Sequence, residues 1–306
     1  ILSMIRYIYF FENEQEGIWQ SAKNFFDKYF NTTQNILIIG QKIFEGFNYL
    51  PIITSKDYDK KILVIFEPIK NLSQYKLCYK IIEDYNKYNL YLFGCVENKP
   101  EEKKIKFPLY MMERFPIYEN PDMYFIKANN FIKNTDIFSK NFCCLINSWD
   151  PDNHRTKMHN ILSQIKNIHC PGKLLNNCSN RKLNALGKPS YLNYFIFNIC
   201  SENYDNNTYN GYITEKLMDC CLGGAIPIYA GWFDEYDAKI FNKNRIIFYN
   251  SKDEASFEKV YNQINELLED KDKLITFYKQ PIFCDTATET IQELIQNIKK
   301  LTYNNN

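Results

Sequence analysis

One stretch, residues 201–232 (SENYDNNTYNGYITEKLMDCCLGGAIPIYAGW), constrains the fold more than any other part of the chain. The apolar run before it, 194–200 (YFIFNIC), is long enough for one buried strand. A polar, asparagine-rich loop follows. Gly211-Tyr212-Ile213-Thr214 then leads into 215–222, a run of helix formers stopped by Gly223-Gly224. Residues 225–230 (AIPIYA) read as a second strand. Strand, loop, helix, strand is the βαβ unit of a parallel sheet, whose ligands bind where strands end and helices begin. Glu215 and Lys216 fall in the first turn of that helix. There a cation and unpaired backbone N–H groups can jointly hold a phosphate. Taken alone, a Glu-Lys pair opening a helix is more often a solvated first turn.

The same alternation recurs along the chain. Residues 4–11, 35–40, 61–66 and 89–95 read as short strands, with amphipathic helices over 18–30 and 75–85. They make a first α/β layer over 1–137, with a link over 118–139 punctuated by Pro121 and an asparagine cluster. A second alternation opens with the strand 141–147 and a helix over 154–166, passes through the central unit, and adds a strand at 245–249. Ser251 with Glu254, and Thr286 with Glu289, read as capping boxes of two later helices. The expected class is α/β, with one domain over 1–137 and a second over 138–306 that ends in a helix.

Composition excludes several functions. Lys and Arg total 37 against 36 Asp and Glu, a formal net charge of +1, so no basic excess marks a nucleic-acid partner. No run approaches the ~20 apolar residues of a membrane span, and no secretory signal opens the chain. The first residue is Ile, which leaves room for a longer, multidomain polypeptide. None of the ten cysteines forms a Cys-x-x-Cys, and most sit inside apolar runs. They are expected to be buried thiols of a reducing, cytoplasmic compartment. His154, His159 and His169 lack paired-ligand spacing, so no zinc site is expected. Asp150-Pro-Asp152 matches an Asp-x-Asp that can hold a divalent metal. Such a triplet in a turn after a strand is a weak signal, and no metal is expected.

Phe197, Asn198, Glu202-Asn203, then Tyr212, Thr214-Glu215-Lys216, then Pro227-Ile228-Tyr229 and Gly231, in this order, resemble the donor-site signature of the family-ten glycosyltransferases, the α1,3-fucosyltransferases. The resemblance implies the GT-B architecture: two Rossmann-like α/β domains facing across a cleft, acceptor side first and nucleotide-sugar side second. It implies an inverting transfer of fucose from GDP-fucose to a hydroxyl of a GlcNAc-containing glycan. The partners would be the nucleotide sugar and an oligosaccharide or glycoprotein acceptor, with no metal or other cofactor. The chain departs from the pattern in three places. The loop between Asn203 and Gly211 is longer than usual, Ser201 replaces an aromatic, and Pro171-Gly172-Lys173 stands for a Gly-Gly-rich turn.

Transfer from a nucleoside diphosphate makes two demands. The leaving diphosphate gains negative charge that must be stabilised, and the acceptor hydroxyl must lose a proton. Without a metal the first task falls to Arg, Lys and helix N-termini. Lys216 is one candidate. Arg155 is the other, at the distance past Ser148 where the resembled family places its pyrophosphate-binding arginine. For the base the resemblance points to Glu97, in Gly94-Cys95-Val96-Glu97 ahead of the Phe107-Pro108-Leu109-Tyr110 motif. A carboxylate directly after a strand can be partly desolvated and its pKa raised toward useful basicity. Glu101 and Glu102, in a charged turn, are fallback bases. By the same resemblance Asn203, Tyr212 and Glu215 contact the donor, while Glu67 and Glu202 lie near the cleft. Gly223 stands where a retaining enzyme carries a second glutamate, which favours inversion. Two other readings stay open: a GT-B transferase using another nucleotide sugar, and a glycan- or nucleotide-binding module without turnover.

Overall fold

The computed structural model describes residues 5–8, 18–30, 34–40, 50–66, 76–114, 120–204 and 211–301. Its strands form two separate five-stranded sheets, each parallel throughout. By internal contact the chain divides into two compact units. One comprises Ile1–Pro116, Asn210–Tyr212 and Gln292–Asn306; the other comprises Ile117–Tyr209 and Ile213–Ile291.

The first sheet sets β1 (Ile5–Ile8), β2 (Ile36–Gly40), β3 (Lys60–Ile65), β4 (Leu90–Gly94) and β5 (Lys104–Lys106) side by side in chain order. The central strands are apolar on both faces because both faces are covered. Leu37, Ile39, Leu63, Leu90 and Leu92 alternate onto one face and pack with Cys78 and Ile81 of the helix Lys76–Glu83. Aromatic side chains of the helix Ile18–Tyr29 form a second cluster, with Phe26 5.3 Å from Phe93 and Phe25 4.7 Å from Phe107 between ring centres. β4 ends at Gly94, with φ at +118°, where a Cβ would lie 2.1 Å from the Ile65 carbonyl oxygen. No side chain fits that corner, from which the chain runs on to Glu97.

The second sheet comprises β6 (Asn141–Leu145), β7 (Ile168–His169), β8 (Phe195–Ile199), β9 (Ile226–Tyr229) and β10 (Ile247–Phe248), in the order β10-β9-β8-β6-β7. β8 is the centre, its residues all buried. Its one polar member, Asn198, donates from Nδ2 to the Cys144 carbonyl at 2.8 Å, which satisfies a buried amide that would otherwise be costly.

Several expectations need adjusting. β5 and β7 were not foreseen, because three and two residues are too few to show a period. The link expected over 118–139 contains the helix Pro121–Asn134, started by a proline in its first turn. That helix packs in the second unit: Phe125 stacks on Phe283 at 4.3 Å, and Asn129 Oδ1 accepts from the Ile282 and Phe283 N–H groups at 2.7 and 3.0 Å. The helix Glu254–Glu269 is capped by Asp253, whose carboxylate accepts from Ala255 N–H at 3.0 Å, and not by Ser251. The Thr286 hydroxyl, directly before the helix Ala287–Lys300, donates to the Lys239 carbonyl at 2.7 Å. All ten cysteines are free thiols, eight of them buried. Among the described residues no helix is long and apolar enough to cross a membrane.

Candidate functional site

In the second sheet the chain runs from β6 out to β7 on one side and then crosses back to β8 on the other, so the strand order reverses between β6 and β8. Ligands of open α/β sheets bind at the strand carboxyl ends beside such a reversal. A pocket of about 720 Å³ opens there, with Asn147, Ser148 and Trp149 past the end of β6, Asn203 past the end of β8, and Lys188 and Lys216 on its wall. Its volume is that of a small-molecule site.

The pocket is built on Glu202. This side chain is fully buried, and its carboxylate accepts from the Thr214 N–H at 2.7 Å, from the Thr214 hydroxyl at 2.7 Å and from the Lys216 ammonium at 3.2 Å. Thr214 is the N-cap residue of the helix Glu215–Leu222, yet its own side chain does not cap. A carboxylate from the preceding strand's loop does so instead, where the helix dipole favours negative charge. Gly231 leaves the room: a Cβ there would lie 2.7 Å from Glu202 Cγ and 2.4 Å from the Tyr229 hydroxyl.

Charge is layered around this anchor. Lys216 contacts Glu202 at 3.2 Å and Glu215 at 3.9 Å, and Lys188 reaches Glu215 at 3.4 Å. Burial alone would lower the Lys216 ammonium, but Glu202 and Glu215 outweigh it and hold the group above its ordinary value. Burial alone would raise the Glu215 carboxyl; Lys216 and Lys188 overcome it and bring the group down to about 2. Both are therefore charged at neutral pH.

Arg155 is fully buried in the helix His154–Leu162. It donates to the Ser201 carbonyl from Nε at 3.1 Å and Nη2 at 2.6 Å, to the Trp149 carbonyl from Nη1 at 2.6 Å, and to Asn203 Oδ1 at 2.9 Å. It thus ties the loops after β6 and β8 together, and among the described residues its guanidinium has no carboxylate partner. Beside it a directed hydrogen-bond chain runs through buried groups. Ala230 N–H donates to Ser201 Oγ at 3.0 Å, Ser201 to the Tyr249 hydroxyl at 2.8 Å, Tyr249 to His154 Nδ1 at 2.8 Å, and His154 Nε2 to the Glu202 carbonyl at 3.1 Å. Burial, with Arg155 adding to it, lowers the His154 pKa and keeps the ring neutral. Ser201, which replaces an aromatic of the resembled pattern, is one link of this chain.

Asp150 is occupied structurally. Its carboxylate accepts from Arg155 N–H at 3.3 Å, Thr156 N–H at 2.7 Å and the Thr156 hydroxyl at 2.8 Å, capping the His154 helix. No cluster of His, Cys, Asp or Glu suited to a metal occurs among the described residues.

Of the residues singled out from sequence, the second unit gathers Arg155, Glu202, Asn203, Glu215 and Lys216 around one pocket, with Asn203 and Lys216 on its surface and Arg155 sealed behind it. Glu97 and Tyr212 belong to the first unit. Glu97 pairs with Lys99 at 2.9 Å and is about one-third exposed (34%). Gly211, before Tyr212, packs so tightly on Val96 that a Cβ would lie 2.4 Å from its carbonyl oxygen. Glu67 and the loop 205–210 lie outside the described residues. Lys188, Trp149, His154 and Tyr249 were not singled out as site residues; Trp149 and His154 adjoin Ser148 and Arg155, whereas Lys188 and Tyr249 have no such marked neighbour.

Residues 138–300 match the model of glycosyltransferase family 10 (fucosyltransferase), C-terminal part. Over 106 residues, 35% of this chain and 28% of its counterpart, the sequence is 27% identical to 4-galactosyl-N-acetylglucosaminide 3-alpha-L-fucosyltransferase 9 of Homo sapiens. Over 129 residues, 42% of this chain and 25% of its counterpart, it is 29% identical to Alpha-(1,3)-fucosyltransferase FucT of Helicobacter pylori. The matches span about a quarter of the length of these curated relatives. Among solved structures, an alpha1,3-fucosyltransferase with GDP-fucose matches 100% of this chain and 91% of its own, with a TM-score of 0.63 at 16% identity. One with GDP matches 89% and 78%, with a TM-score of 0.56 at 17% identity. At these identities the likeness is one of fold, the α/β GT-B class.

Proposed function

Because the chain belongs to glycosyltransferase family 10, the fucosyltransferases, we propose that it is an inverting α1,3-fucosyltransferase that moves fucose from GDP-fucose to a hydroxyl of a GlcNAc-containing glycan. One observation carries the donor half of this reading: a pocket of nucleotide size at the sheet reversal, with Lys188 and Lys216 on its wall. Structures of this fold with GDP-fucose and with GDP support it, and the names of the curated relatives support the acceptor half.

In the proposed reaction the acceptor oxygen bonds to the anomeric carbon of fucose from the face opposite the diphosphate. The bond from that carbon to the diphosphate oxygen breaks, and GDP departs with the electron pair. Lys216, held charged by its carboxylate neighbours, meets the charge that builds on the leaving group. Arg155 contributes buried positive potential and fixes Asn203 at the pocket edge. Glu97 accepts the acceptor's proton, a role carried over from the family motif. In this reading cationic side chains do the work a metal would do elsewhere, and the reaction is metal-independent.

The test is release of GDP from GDP-fucose with and without a galactosyl-N-acetylglucosamine acceptor, followed by NMR of the anomeric configuration. Acceptor-dependent release with inversion is expected. Thermal stabilisation by GDP without release under any acceptor would make the chain a binding module. Preference for a UDP or TDP sugar would move it to another donor.

A further inference from the structure

Two of the cations near the pocket are committed to the fold. Arg155 is wholly buried on carbonyl oxygens, and the Lys216 side chain, 15% exposed, holds Glu202 at 3.2 Å and the Thr214 hydroxyl at 2.9 Å. Lys188 differs on both counts. Its side chain is 42% exposed, and its one ion pair among the described residues, to Glu215 Oε1, is loose at 3.4 Å. It begins the short helix Lys188–Leu192 and borders both the main pocket and a small cavity of about 20 Å³ behind it, which Lys216 and Asp219 share.

We propose that Lys188 is a second ligand of the donor's diphosphate, turning from Glu215 to the phosphate oxygens as the nucleotide enters. The inference rests on the reading of this pocket as a nucleoside-diphosphate site. A half-exposed lysine loses little when it leaves a long ion pair, and it gains shorter charge-assisted bonds to phosphate. Glu215 is not stranded by the exchange, because Lys216 stays 3.9 Å away and the carboxylate still lies in the first turn of its helix. Lys188 can thus swap its partner without dismantling the pocket, as Arg155 and Lys216 cannot.

Calorimetric titration of the full chain with GDP, GMP and guanosine, for wild type, Lys188→Gln and Lys188→Ala, tests this. Both Lys188 variants should bind GDP about 10-fold more weakly, in line with loss of one charged hydrogen bond, and bind guanosine as wild type does. If the Lys188 variants lose guanosine and GDP alike, or lose neither, Lys188 is not a phosphate ligand. Wild-type protein that fails to bind GDP overturns the underlying reading of the pocket instead.

Discussion

The Lys216 ammonium lies 3.2 Å from the Glu202 carboxylate, whose side chain is wholly buried and which also accepts the Thr214 N–H opening the Glu215 helix. Removing the carboxylate strands a largely buried cation and an unsatisfied N–H together. Glu202→Ala should therefore cost about 3 kcal/mol or more. Glu202→Gln, which keeps an acceptor for the N–H, should cost less. Thermal unfolding of both variants checks the order, and a Glu202→Ala protein as stable as wild type would show that Glu202 is not the anchor.

Arg155 makes four hydrogen bonds in a planar fork that a lysine cannot reproduce. Arg155→Lys should destabilise by about 2 kcal/mol, the worth of a charged hydrogen bond or two, and loosen Asn203. The melting temperature and the donor KM should both worsen. A raised KM with unchanged stability would mean instead that the guanidinium faces the ligand directly.

His154 should make the protein acid-sensitive. Its folded pKa lies below the ordinary 6.5, so its contribution to stability is full above that value and is lost as pH falls through the folded pKa. Glu215 behaves alike in a lower window: its contribution is full above 4.5 and is lost toward about 2. Melting temperatures measured across the range below 6.5 should fall in wild type and flatten in His154→Gln. An equal slope in the variant would assign the acid loss to other groups.

Glu97→Ala should lower turnover by about 100-fold or more, the typical share of a general base, with GDP affinity unchanged. Single-turnover transfer and GDP titration separate the two. Transfer at the wild-type rate would remove Glu97 from the mechanism and turn attention to Glu101 and Glu102.

Chelation with EDTA should leave transfer unchanged, whereas Asp150→Ala should lower stability by about 1 kcal/mol through loss of a helix cap. Activity that collapses in EDTA and returns with manganese would restore a metal role to the Asp150 turn.

The fold was readable where sequence patterns are long. Residues 194–232 foretold β8, the Glu215 helix and β9 because an apolar strand, a glycine stop and a second strand follow in close order. The two short edge strands were invisible for want of length. The capping assignment at Ser251 failed because the Asp253 carboxylate, one residue before the helix, takes the N-cap position. Within the site, Glu202 and Lys216 were found as motif members, Glu202 near the cleft and Lys216 toward the phosphate, with no sign that the two pair. Three-dimensional packing turns Glu202 inward as the cap of the next helix. Lys188 and Tyr249 lie outside the motif, one before it and one after, and join its site only once the sheet is assembled.

The sulfur inventory of the core has a practical consequence. Burial pushes the Cys78, Cys143 and Cys221 thiols well up, so the reactive thiolate is scarce even before access is considered. Cys78 lies in one unit and Cys143 and Cys221 in the other. Timed alkylation with mass readout would therefore record how often each half breathes open, without any label being engineered into the protein.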